Sequence, residues 1–212
     1  MGRLTTGRLL VAGARFFSTV LSPLLMPTYG ALLVLWTSVL CLLPNGTRVM
    51  VLMMVLGITC VLPMIMIGIL HHYGIIRDKR LEDPRERTIP YAFAVLCYLG
   101  SAAYLHHIHS PLWFIMFSLG GSLACLIVLV VNRWWKISAH ATGIGGVVAL
   151  LYQIHVLGLS AFNLFWVFNA TILLAGILGT SRLLLKRHTV LQVLAGFAVG
   201  FVCVDLMMKL FG

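Results

Sequence analysis

The chain has 212 residues, of which 61% are hydrophobic and 9% charged, with a formal net charge of +10. Its mean hydropathy is +1.05. So few polar side chains cannot cover the surface of a water-soluble domain of this size, which excludes a soluble globular enzyme. The basic residues sit in short loops between apolar runs, a topology signal of membrane proteins. No nucleic-acid partner is expected.

Apolar length and punctuation predict one all-α domain over residues 1–212, a polytopic transmembrane helical bundle of six to seven spans. The seven candidate spans run roughly 18–43, 49–75, 90–108, 111–132, 138–158, 162–182 and 188–211. Because the first apolar run is long and continues into further spans, it does not read as a cleaved signal peptide. It carries Pro23 and Pro27, so a kink is expected there. The second span ends on His71 and His72. After it comes the polar stretch Arg77 to Arg87, which reads as a solvated loop with locally paired charges or as part of a site. It holds five basic residues and four of the five acids, Asp78, Glu82, Asp83 and Glu86. His106, His107 and His109 lie at the end of the third span, at the face opposite that loop and on the same side as His155. They read as interfacial histidines rather than a metal cluster. Trp134 and Trp135 suit an aromatic belt. The fifth, sixth and seventh spans carry small residues that allow close helix approach: Gly143, Gly145 and Gly146, then Ala175 and Gly179, then Gly196 and Gly200. The five cysteines all fall inside apolar stretches with no close pair and read as small buried hydrophobes.

Three polar segments are predicted to share one membrane face, because two spans separate each from the next. They are the Arg77–Arg87 loop, the stretch from Lys136 to Ala141, and Ser181-Arg182 through His188. Polar side chains at the edge of hydrocarbon are functional candidates by default. Ser138 suits an N-cap, and the free N–H groups of a helix start bind anions. His140, two residues on, is placed to donate a proton. Arg182 and Arg87 supply planar cationic forks suited to phosphate. His188, predicted to open the last helix, is free to attack or to shuttle protons. A continuous helix from Arg182 to His188 would turn about 600° and put the two on different faces. The chain is therefore expected to break near Lys186-Arg187.

In these segments the sequence resembles the type 2 phosphatidic acid phosphatase (lipid phosphate phosphatase) superfamily, as a divergent member. That superfamily carries Lys-x6-Arg-Pro, Pro-Ser-Gly-His and Ser-Arg-x5-His-x3-Asp. Here the third pattern reads Ser181-Arg182-x5-His188-x3-Gln192, and the second reads Ile137-Ser138-Ala139-His140. The first, Arg80-x6-Arg87-Thr88, keeps the spacing with arginine for lysine and threonine for proline. The resemblance implies a phosphohistidine mechanism with His188 as nucleophile and His140 as general acid. It also implies phosphate binding by Arg182, Arg87, Arg80, Ser138 and Ser181. Arginines neutralise the charge that a magnesium ion would otherwise neutralise, so no metal or other cofactor is expected.

Gln192 stands where the superfamily has an aspartate that orients the nucleophilic imidazole. A glutamine carbonyl accepts the same hydrogen bond but offers no charge. Either turnover is slow, or a carboxylate from the Asp78–Glu86 loop substitutes, or catalysis is lost. Asp205 is a poor substitute, lying 17 residues on, about 25 Å along a helix. The leading expectation is a multi-pass membrane phosphatase acting on a lipid phosphate monoester or a polyprenyl diphosphate, with membrane lipids around it. The alternative is a non-catalytic lipid-phosphate binding or transport protein that uses the same pocket. Thirteen of the fifteen Lys and Arg fall on the motif side. The positive-inside rule then favours a cytoplasmic site, in the plasma (inner) membrane if bacterial, although proteins of the resembled superfamily usually place theirs outside.

Overall fold

Helix ends in this chain are written by local chemistry. The computed structural model describes residues 2–77 and 85–211, and among them every regular element is helical. The α-helices are α1 (Gly2–Val20), α2 (Met26–Thr37), α3 (Asn45–Leu56), α4 (Leu62–His72), α5 (Thr88–His107), α6 (Leu112–Val131), α7 (Ala139–Val156), α8 (Phe165–Leu184) and α9 (Val190–Phe211). Pro27 and Pro63 sit in the first turns of α2 and α4, where their missing N–H costs nothing. Between α3 and α4 the backbone widens into a π-turn, Gly57–Val61, directly before Pro63. A proline inside a continuing rod removes one ladder bond and crowds the carbonyl four residues back, and a π-turn relieves both. Gly74 and Gly158, at φ +71° and +66°, occupy the left-handed position just past α4 and α7. There the following N–H groups reach back to the last turn of each helix.

Five helical stretches are long and apolar enough to cross a membrane: Asn45–His72, Thr88–His107, Leu112–Val131, Phe165–Leu184 and Val190–Leu210. They coincide with five of the seven expected spans. The expected first span, 18–43, is not one helix. It breaks between Val20 and Met26 around Pro23, and the α2 half ends at Ser38. The expected fifth span is α7, an 18-residue helix at the centre of the bundle, packed on α2, α6, α8 and α9. Nearly every residue of α7 between Ala141 and Leu151 is buried, which is why it tolerates small and polar residues that lipid would reject.

The tightest packing lies between α7 and α9. A Cβ built on Gly196 would stand 2.6 Å from the Ser138 carbonyl oxygen. At Gly200 it would collide with the Thr142 carbonyl, and at Gly145 with the Phe197 carbonyl. Gly120 brings α6 against the α9 backbone in the same way, 2.8 Å from the Val204 Cα. At the far end Gln153 of α7 donates to Asp205 of α9 at 2.5 Å, which satisfies a polar pair within the bundle.

Backbone atoms cannot move aside as a side chain can. Gly200→Val should therefore destabilise the protein by about 3 kcal/mol, the upper range for overpacking. Gly176→Ala is the control: that α8 glycine has open space around it, and the change should be neutral or slightly stabilising. Thermal unfolding in detergent measures both.

Candidate active site

The described parts of the three predicted segments arrive at one end of the bundle, each at a helix end. Ser138 is the N-cap of α7, its hydroxyl accepting the Ala141 N–H, so His140 sits in the first turn. Arg87 closes a short 3₁₀ turn, Arg85–Arg87, and its side chain is buried just before α5. Arg182 lies in the last turn of α8. After Leu184 the helix stops as the Arg182–His188 geometry requires. Lys186 takes the left-handed conformation, φ +52°, while its N–H returns to Leu183 and that of Arg187 to Arg182. This is the C-terminal motif in which glycine is usual, and a side chain there costs about 1–2 kcal/mol. The strain lies between the two groups it separates, a pattern common at functional sites.

His188 does not open α9, the expectation from the sequence, but lies two residues before its first residue, Val190. Thr189 is the cap. Its N–H donates to the Gln192 Oε1 at 3.1 Å, and the Gln192 N–H reaches the Thr189 hydroxyl at 3.4 Å. The pair is a capping box. The Gln192 side-chain carbonyl, expected to orient His188, is shared with the Thr189 backbone. The glutamine still weakly favours the charged imidazole. Among the described residues, His188 Nδ1 is buried with no hydrogen-bond partner.

A cavity of about 670 Å³ opens at this end. Arg15, Arg87, His140, Arg182, Lys186 and Arg187 form its polar mouth, and Ala94, Tyr98, Gly121, Ala124 and Val204 line its interior. Val204 stands fourteen residues into α9, about 20 Å along the axis. Of the expected site residues, Arg87, His140 and Arg182 line this cavity. His188 lies close behind it and feels Arg182, Arg87 and Lys136, but is not among the lining residues. Ser138 is fully buried in its capping role, and Ser181 turns back to donate to the Ile177 carbonyl at 2.7 Å. Neither serine lines the cavity. Arg80, with Asp78, Glu82 and Asp83, lies outside the described residues. Glu86 Oε1 accepts the Arg77 N–H instead of approaching His188. Asp205 is held by Gln153, away from the site. No group of three or more metal-ligating side chains gathers among the described residues, so His106, His107 and His109 do not converge.

The structure adds residues that the motifs omit. Arg15 and Ser18 of α1 both line the cavity, and Tyr91 hydrogen-bonds Arg87 from the first turn of α5. Nothing local in the sequence marks Ser18, because its role comes from α1 packing on α8.

His188 lies in the turn ahead of α9, outside the apolar helix. Burial, then Arg182, Arg87 and Lys136, push its imidazole down to about 4 from the usual 6.5. It is therefore uncharged at neutral pH, with a lone pair available. Unfolding lets this group take up a proton at a pH where the folded protein resists it. Its contribution to stability is present above about pH 6.5 and is lost as the pH falls towards about 4. Between pH 7 and pH 5 the unfolding midpoint of the wild type should fall further than that of His188→Gln. Equal falls would remove His188 from the acid sensitivity.

No protein-family model, no curated protein and no solved structure matches the chain.

Proposed function

We propose that the chain is an integral-membrane, metal-independent phosphatase that removes phosphate from a lipid phosphate monoester or a polyprenyl diphosphate. The observation that carries this reading is a cavity lined by cations at the helix ends and mostly by apolar residues along the helices. A phosphate head group matches the first and a hydrocarbon chain the second. Arg182 and Arg87 offer planar forks to the non-bridging oxygens, and Lys186, Arg187 and Arg15 add positive charge at the mouth. Charge stabilisation of this kind in a water-poor site is usually the largest catalytic effect.

In the proposed reaction the neutral His188 imidazole attacks phosphorus and forms an N–P bond. The P–O bond to the lipid breaks, and His140, present as imidazolium beside the bound phosphate dianion, gives its proton to the departing oxygen. Water then attacks the phosphohistidine with His140 as base, releasing phosphate and restoring both histidines. His188 must reach the cavity for this, through a shift of the strained Lys186–Thr189 turn. The bundle crosses the membrane seven times in this reading. The five apolar helices are joined by α7 and by α2, which runs from Met26 beside Gly143 to Ser38 beside Ser160. The site faces the cytoplasm, on the strength of the positive-inside bias.

A second reading, a lipid-phosphate binder or transporter without turnover, has its own support. His188 sits behind the cavity lining, and Gln192 is engaged in the cap.

Purified protein should release phosphate from a panel of lipid phosphates, and His188→Ala should abolish release. Binding without release by the wild type would establish the second reading, and turnover surviving His188→Ala would refute the nucleophile. Gln192→Asp should raise kcat at unchanged KM, because a carboxylate stabilises the imidazolium that the amide cannot. The loss of such a carboxylate in a comparable triad lowers kcat by about 10⁴.

A further inference from the structure

Ser18 of α1 touches both polar groups that the proposed chemistry assigns to substrate. Its hydroxyl oxygen accepts Nη1–H of Arg182 at 2.6 Å. Its backbone carbonyl oxygen accepts from His140 Nε2 at 3.1 Å, and the hydroxyl oxygen lies 3.5 Å from the same nitrogen. One residue thus presents one oxygen to the guanidinium and another to the proton donor. A phosphate ester does the same, with a non-bridging oxygen for the arginine and the bridging oxygen for the acid. While His140 donates to Ser18, that proton is not directed at a leaving group.

We propose that Ser18 is an internal competitor for the phosphate subsite, which an oxyanion must displace from Arg182 and His140. The proposal rests on the reading of this cavity as a phosphate site. Its physical basis is an exchange of unequal partners: a neutral hydroxyl gives one bond to Arg182, whereas a phosphate gives charge-assisted and bidentate bonds. The surroundings permit the exchange. Packing of α1 is chiefly on α8, Leu9 and Phe16 of α1 are exposed, and the chain after Leu21 passes through a non-helical elbow at Pro23. Val11, Arg15 and Thr19 line the cavity beside Ser18, so a small movement of α1 changes the mouth itself. Ser18 therefore sets how tightly the head group is held and does not take part in bond making.

The test is calorimetric titration of inorganic phosphate into the purified full-length protein, with KM and kcat on a lipid phosphate alongside. Ser18→Ala removes the competing hydroxyl and should bind phosphate about three- to tenfold more tightly, with a matching fall in KM. Ser18→Thr, which keeps the hydroxyl, should return affinity to the wild-type value. Ser18→Asp, whose carboxylate holds Arg182 more firmly, should weaken binding by more than tenfold. Equal or weaker phosphate binding by Ser18→Ala, at an unchanged unfolding midpoint, overturns the competitor role while leaving the cavity reading intact. Phosphate binding that is absent, or indifferent to Arg182→Ala, overturns the cavity reading and this inference together.

Discussion

Backbone-to-backbone contact between α7 and α9 is the constraint on which the rest of the structure depends. Gly145 on α7, and Gly196 and Gly200 on α9, let the two helices meet with no side chain between them. In a membrane the apolar side chains gain little by leaving lipid for one another, so association relies on close packing. The contact also determines position. Ser138 and Gly196 face each other, and the Ser138 N–H donates to the main-chain carbonyl oxygen of Gln192 at 3.3 Å. That bond registers the start of α7 against the start of α9. His140 is thereby brought near His188, 48 residues later in the chain.

Helix ends then do two jobs at once. An end leaves backbone groups without partners, which must be satisfied where water is scarce. Here Ser138 caps α7, Thr189 and Gln192 cap α9, and the Lys186 turn closes α8. The residues between these caps, Arg182, His188 and His140, are held by neighbours whose own polar groups are already used. Ser138, Ser181 and Gln192 support the site without facing the cavity.

Positive charge gathered at such an end has a consequence for the histidine among it. Burial and three cations act in the same direction on His188 and keep it neutral, and two of those cations, Arg182 and Arg87, also line the cavity. In the proposed reading, attraction of the phosphate and preparation of the nucleophile share one electrostatic cause. The apolar interior adjoining that mouth separates this cavity from a general anion site.

Much of this was legible from residue order alone. Long apolar runs gave five helices their place, because the thickness of a bilayer sets the length of a span. The break near Lys186 followed from helical geometry, since Arg182 and His188 cannot share a face in one helix. The Ser138 cap was legible because an N-cap is a local interaction. Other features were not. Pro23 marked a kink, but that Val20 to Met26 would separate two helices depended on where α1 packs. Gln192 stood at the right spacing to act on His188, but that its carbonyl would also cap α9 through the Thr189 N–H is a competition that spacing does not rank. Residue order by itself determined the helical class, the Ser138 cap, the break near Lys186 and the three polar segments, because those rest on local chemistry and hydropathy. The tertiary structure alone decided that Arg87, His140 and Arg182 share a cavity, that His188 stands behind it, and that Ser18 joins Arg182 to His140. Those facts depend on how helices distant in sequence pack, and no local pattern encodes that packing.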